Sequence, residues 1–237
     1  MTAHPTPMDS VSEHLRAQAA LRRAAAPAPR PLDGPRTALL VIDLQDFFMA
    51  PGMPMEVPAA RDVVPNVNRL AGVVRNAGGL VVWVRMTADL EGPRWGAFFE
   101  LRPGWMEEAI TGLLRPGQPG HRLWAGLEVH PDDPVVDKTR FSAFSQGSSD
   151  LDALLRERGI DTVLITGTLS DVCCGSTARD ALMLDYRVAF VADANATRDE
   201  LTHSATLFSL AGVFADVPTT DEVVAALTRP RDPAAAG

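Results

Sequence analysis

From Thr37 onward the chain alternates between short runs of unbroken apolar residues and longer stretches whose apolar positions recur every three to four residues. The runs at 37–43, 79–85, 134–138, 162–167, 187–193 and 212–217 predict six strands. Most are apolar at successive positions, not alternate ones, so both faces of each strand are expected to be covered, as in a parallel sheet. Stretches with helical spacing lie between them, over 60–77, 150–158, 173–184, 202–211 and 221–227. This alternation predicts an α/β fold: a doubly wound parallel sheet with helices on both faces, forming a single domain over residues 37–228.

Three segments stand outside that rhythm. Residues 1–36 form an N-terminal arm rich in Ala, Pro and Arg, in which 10–25 could be helical around Val11, Leu15 and Leu21 before Pro27, Pro29, Pro31 and Pro35 break it. Whether the arm is a mobile tail, packs on its own chain or reaches a neighbouring subunit stays open at this level. Residues 229–237 form a C-terminal tail. The stretch 86–134 holds three of the four Trp residues and interrupts the alternation, and a connection this long is commonly a lid or pocket wall.

Composition narrows the function classes. The 237 residues are 46% hydrophobic and 22% charged, ordinary for a globular chain able to bury a large core. With 30 acidic against 22 basic residues the net charge is -8, and no basic stripe is present to meet a phosphate backbone, so nucleic acid is not expected as a partner. No run approaches the roughly 20 apolar residues of a bilayer span, and the first residues lack the basic and apolar regions of a secretory leader; an unanchored, cytoplasmic protein is expected. The two cysteines, Cys173 and Cys174, are adjacent, which excludes a disulfide scaffold and supplies no structural zinc spacing. His4, His14, His121, His130 and His203 are scattered, none four residues from another, and surface positions are expected for most. No G-x-G-x-x-G follows a strand, and the Walker A, G-x-S-x-G and H-E-x-x-H patterns are missing, so no nucleotide cofactor is expected.

In an open parallel sheet, ligands bind beyond the carboxyl ends of the strands. Three reactive residues fall there: Asp43 after the first run, Lys138 at the end of the third, and Cys173 after the short turn that follows the fourth. A helix N-terminus and a nearby ammonium favour a thiolate, a carboxylate can accept the thiol proton, and backbone N–H groups of the turn can hold an oxyanion. Taken one at a time, such residues are more often a helix cap, a solvated charge and a small buried hydrophobe.

The blocks around these residues carry more information than their spacing. Residues 41–48 (Val-Ile-Asp-Leu-Gln-Asp-Phe-Phe), 138–144 (Lys-Thr-Arg-Phe-Ser-Ala-Phe) and 166–181, which run from Thr166-Gly167 through Cys173-Cys174 to Ala181, closely resemble the three signature blocks of the isochorismatase-like cysteine hydrolases. That superfamily includes N-carbamoylsarcosine amidase, ureidoacrylate amidohydrolase, biuret hydrolase and nicotinamidase. The resemblance covers about residues 37–228. It implies a six-stranded, Rossmann-like parallel sheet, assembly as a homodimer or homotetramer, Asp43 as general base, Lys138 as catalytic lysine and Cys173 as nucleophile, with Cys174 beside it. It further implies a non-proline cis peptide between Thr168 and Leu169 and an oxyanion hole made by the Leu169 and Cys173 N–H groups.

Two departures select among subfamilies. Nicotinamidase-like members carry a histidine-rich metal site after the second strand, whereas 84–90 has no histidine, so no catalytic metal and no cofactor are expected. Vinyl-ether-cleaving members lack the nucleophilic cysteine, which this chain keeps. The expected activity is therefore cleavage of a small amide or ureido substrate through a thioester. The alternatives are enol-ether hydrolysis with Asp43 as the acid, or a noncatalytic scaffold. Gln45, Phe48, Trp95, Arg140, Phe141 and Thr168 are the candidate substrate-binding residues, with Arg94, Phe98 and Phe144 close by in sequence.

Overall fold

Strand β1, Thr37–Ile42, is buried along its whole length. Leu39 and Val41 enter one core, and Ala38, Leu40 and Ile42 enter the other, so the unbroken apolar run reflects two covered faces. Each fully buried Leu, Val or Ile of this kind stabilises the fold by about 1.5–3 kcal/mol. The computed structural model describes residues 7–26, 31–88 and 95–229; Pro27, Pro29, Arg94 and the tail beyond Arg229 lie outside them.

In chain order the elements are α1 (Pro7–Ala25), β1, α2 (Asp46–Met49), α3 (Val64–Asn76), β2 (Leu80–Met86), α4 (Gly96–Glu100), α5 (Gly104–Leu113), β3 (Val135–Lys138), α6 (Leu151–Glu157), β4 (Thr162–Thr168), α7 (Gly175–Met183), β5 (Arg187–Ala196), α8 (Glu200–Leu210) and α9 (Thr220–Thr228). The sheet is parallel, with five strands in the order β3-β2-β1-β4-β5. On one face, Val64, Val67, Leu70, Ala71 and Val74 of α3 form a stripe at helical spacing, joined by Val223 of α9. The other face is covered by Leu151 and Leu155 of α6, Ala178 and Ala181 of α7, and Leu207 and Leu210 of α8. Among the described residues no helix is long and apolar enough to cross a membrane.

The expected sixth strand at 212–217 does not form. Gly212, at φ +71°, turns the chain after α8. The segment then runs beside β5 only as an isolated parallel bridge between Asp216 and Ala189: the Phe190 N–H donates to the Asp216 carbonyl, the Asp216 N–H to that of Val188, and the Ala192 N–H to the Pro218 carbonyl. Pro218 follows and has no N–H with which to extend the ladder.

Two further expectations change. The stretch after β2 is not one open loop but holds α4 and α5, neither of which contributes a buried residue. The N-terminal arm packs on its own chain: α1 lies along α8, with Arg22 donating to the Phe208 carbonyl and stacking on its ring, and Arg16 pairing with Glu200. Arg23 bridges Asp216 and Glu222 at 2.6 and 3.0 Å, tying the arm to the segment that leads into α9.

Strand register sets the site. Ile42 lies opposite both Val84 and Gly167, and Met86 opposite Lys138, so β1, β3 and β4 end at one edge of the sheet. The order reverses between β1 and β4, which opens a crevice at their carboxyl ends. Gly167 makes this close approach possible: it adopts φ +118°, and a Cβ there would stand 2.0 Å from the Ile42 carbonyl oxygen.

Candidate active site

Asp43 is the first residue after β1 and sits at φ +55°, a left-handed conformation in which Asp is tolerated better than most residues. Its side chain and that of Lys138 are both fully buried, with Lys138 Nζ 2.8 Å from Asp43 Oδ2. Lys138 Nζ also donates to the Arg140 carbonyl at 3.2 Å and lies 3.5 Å from Met86 Sδ. Cys173 belongs not to the first turn of a regular helix, as its sequence position suggests, but to a π-helical turn, Ser170–Cys174, that leads into α7. The Leu169 carbonyl accepts the N–H groups of Val172 and Cys174 and closes the turn, and the Thr168–Leu169 peptide before it is cis. Local insertions of this kind occur often at functional sites.

The charges of the three side chains are coupled. Burial lifts the Asp43 carboxyl above the usual carboxylate range, against the pull of Lys138 and Cys173. Burial pulls the Lys138 ammonium down, but the Asp43 carboxylate and Cys173 outweigh it, so Lys138 stays protonated above its ordinary value. Burial and then the Asp43 charge push the Cys173 thiol well up. The buried site thus sets an ammonium against a carboxyl more basic than usual, with the thiol beside them.

Above them lies a cavity of about 350 Å³ with Cys173 in its wall. Phe47, Phe48 and Met55 line it from the α2 side and Met86 from the end of β2. Trp95, Phe98, Phe99, Arg102, Met106, Ile110 and Leu114 come from the α4–α5 segment, Phe141 from the loop after β3, Leu169 and Val172 from the π-turn, and Arg198 from beyond β5. Cys174 is absent from this wall; it is fully buried, with Sγ 3.9 Å from the Thr166 carbonyl.

Of the sequence-derived binding candidates, Phe48, Trp95 and Phe141 line the cavity, while Gln45, Arg140 and Thr168 do not. The Gln45 amide is fully buried and engaged with backbone: it donates to the Met86 and His121 carbonyls and accepts the Met86 N–H at 2.7 Å. Arg140 donates to the Thr139 carbonyl and stands 5.3 Å from the Trp95 ring centre, and the Thr168 hydroxyl donates to Ala196. Arg198 was detectable in principle, since it follows the carboxyl end of a strand. Arg102, Met106 and Ile110 carry no such signal, because their position depends on how α4 and α5 fold back over the sheet.

Of the described histidines, His14 and His130 are exposed, while two are not. His121 is buried, and His203 is partly enclosed, with Nε2 3.1 Å from the Ala192 carbonyl and Nδ1 2.9 Å from Ser170 Oγ. Burial lowers its pKa, and the carbonyl can only accept, so Nε2 donates and the Ser170 hydroxyl donates to Nδ1. The π-turn is thereby pinned to α8. Among the described residues no three His, Cys, Asp or Glu side chains converge as a metal-binding group.

Comparison with known proteins agrees with this geometry. Residues 37–222 match the isochorismatase domain. A probable inactive nicotinamidase from Arabidopsis thaliana is 34% identical over 188 residues, covering 78% of this chain and 93% of the relative. A ureidoacrylate amidohydrolase from Caulobacter segnis is 31% identical over 211 residues, covering 83% of this chain and 87% of the relative. Among solved structures, a cysteine hydrolase from Pseudomonas syringae pv. phaseolicola superposes with a TM-score of 0.78 at 28% identity, covering 86% of this chain and 98% of its own. With its strand order, its strand-end acid, amine and thiol, and a match over most of its length, the chain belongs to the isochorismatase family of hydrolases.

Proposed function

We propose that this hydrolase is a cysteine-dependent amidohydrolase that cleaves the carbon–nitrogen bond of a small amide or ureido compound through a thioester. The observation that carries the reading is the buried Lys138–Asp43 pair at 2.8 Å against Cys173, with Cys173 also opening onto the cavity. Asp43 takes the thiol proton as Sγ attacks the carbonyl carbon, and the N–H groups of Leu169 and Cys173 receive the oxyanion. The proton passes to the departing nitrogen as the carbon–nitrogen bond breaks. Water, deprotonated by Asp43, then attacks the thioester carbonyl and returns the thiol. Lys138 keeps its charge throughout and holds the carboxylate in place. With the Asp43 carboxylate engaged by an ammonium, the chemistry is assigned to side chains and backbone without a metal.

One relative is named as inactive, which favours a noncatalytic reading for that protein. The acid, amine and thiol brought together here support catalysis in this one. Ammonia release from a panel of primary amides, carbamoyl and ureido compounds tests the proposal, together with mass spectrometry of the quenched reaction. An acyl mass on the Cys173 peptide is expected. Turnover of an enol ether that survives Cys173→Ala, with no acyl adduct at any time point, would overturn it.

A further inference from the structure

The cavity above Cys173 differs in character from the groups beneath it. Among the described residues that line it, Cys173, Arg102, Arg198 and the Trp95 indole N–H supply the only polar side-chain groups apart from methionine sulfur, and both arginines are exposed. No lining side chain offers a carboxylate, amide or hydroxyl. A polar substrate body entering this space would lose its water and find few hydrogen-bond partners in exchange, whereas an apolar one would lose nothing. The volume of about 350 Å³ also falls within the range of sites that enclose a whole organic ligand, and exceeds what an amide or ureido group alone would fill.

Part of the wall is a box of three rings. Trp95 and Phe98 stack with centres 4.5 Å apart, and Phe141 meets them edge-on at 4.6 and 5.3 Å. The rings are only partly buried, and α4 and α5 bury no residue of their own, so the box retains apolar surface that the fold itself does not cover. Building on the amidohydrolase reading above, we infer that the substrate carries a bulky apolar body, aromatic or branched hydrocarbon, attached to the reacting amide or ureido group, and that Trp95, Phe98 and Phe141 set this specificity. The smaller, polar members of the same chemical class are then poor substrates.

The test is a graded series of primary amides from acetamide to hexanamide, with 3-phenylpropanamide and carbamoylglycine, assayed for ammonia release. Titration of the same compounds into Cys173→Ala protein by calorimetry supplies a readout independent of turnover. The value of kcat/KM is expected to rise roughly three- to fourfold for each methylene that becomes buried, with the phenyl compound among the best. Trp95→Ala and Phe98→Ala should flatten that rise, mainly through KM, and weaken binding of the long members to Cys173→Ala protein. Acetamide or carbamoylglycine turned over as efficiently as hexanamide would overturn the apolar specificity and leave the amidohydrolase reading standing. Tighter binding of the long members with no ammonia from any of them would support the apolar site and remove the amidohydrolase reading. Neither release nor graded binding would remove both.

Discussion

Adjacent thiols occupy different environments, and that separates their chemistry. Cys173 lines the cavity, while Cys174 points into the core beside the Thr166 carbonyl. Cys173→Ala is expected to abolish turnover, and Cys174→Ala to leave most of it; iodoacetamide labelling that tracks loss of activity should fall on the Cys173 peptide. Asp43→Asn and Lys138→Ala should each lower kcat by about two orders of magnitude or more. The double variant should be little worse than the worse single, because the groups act as one unit. The acid limb of kcat/KM belongs to Asp43, which cannot accept the thiol proton once it is itself protonated. Since burial raises its pKa, activity should fall as pH drops through a value above the ordinary carboxylate pKa of about 3.9. A limb at or below that value would contradict the assignment. Lys138→Ala also leaves a buried carboxylate without its cation, a change that costs about 3–5 kcal/mol of stability. A carboxyl with a raised folded-state pKa binds its proton more tightly when folded, so chemical denaturation should show this loss in full above that pKa and relieved as pH falls through it.

At the scale of elements, the strands that deliver the site are tied by small features with large effects. Gly167→Ala would bring a methyl group against the Ile42 carbonyl at a left-handed φ, and a loss of about 3 kcal/mol or more is expected, read as a fall in the denaturation midpoint. Arg23→Ala should be milder, about 1 kcal/mol or a few degrees in Tm, because its partners Asp216 and Glu222 remain partly in water. The buried strands were legible in the sequence because both of their faces are apolar; β1 and β4 are covered along their whole lengths. The run at 212–217 reads the same way in sequence, yet none of its residues is buried and Val213 is exposed. Here a turn at Gly212 and the missing N–H of Pro218 leave a single bridge at Asp216 and one further bond to the Pro218 carbonyl. The arm's docking on α8 was not legible, since its anchors Arg16, Arg22 and Arg23 look like surface charges until α8 and Asp216 are placed beside them.

Across the whole molecule, the strand-end rule located Asp43, Lys138 and Cys173, because parallel strands of matched register end together and each residue closes or follows a recognisable run. It did less well for the cavity walls. Gln45 lies two residues after the acid yet serves as a brace between β1 and β2, while Arg102, Met106 and Ile110 reach the site from a segment whose path no periodicity reveals. Asp43, Lys138 and Cys173 are thus set at the edge of the sheet, and much of the cavity wall hangs from two short helices that bury no residue fully, although Ala109, Ile110 and Leu113 pack against the core.

That division bears on how such a protein changes over generations. Between residues 95 and 113, replacements at positions other than Trp95, Ala109, Ile110 and Leu113 remove little packing that holds the fold together, so they are filtered mainly by what the protein must bind. A library randomised at those positions should keep melting temperatures close to the parent while its members diverge in preferred substrate. The same number of changes placed in β1 or β4 should mostly yield protein that does not fold. On the proposed function, a chain arranged this way inherits its chemistry while its substrate can drift.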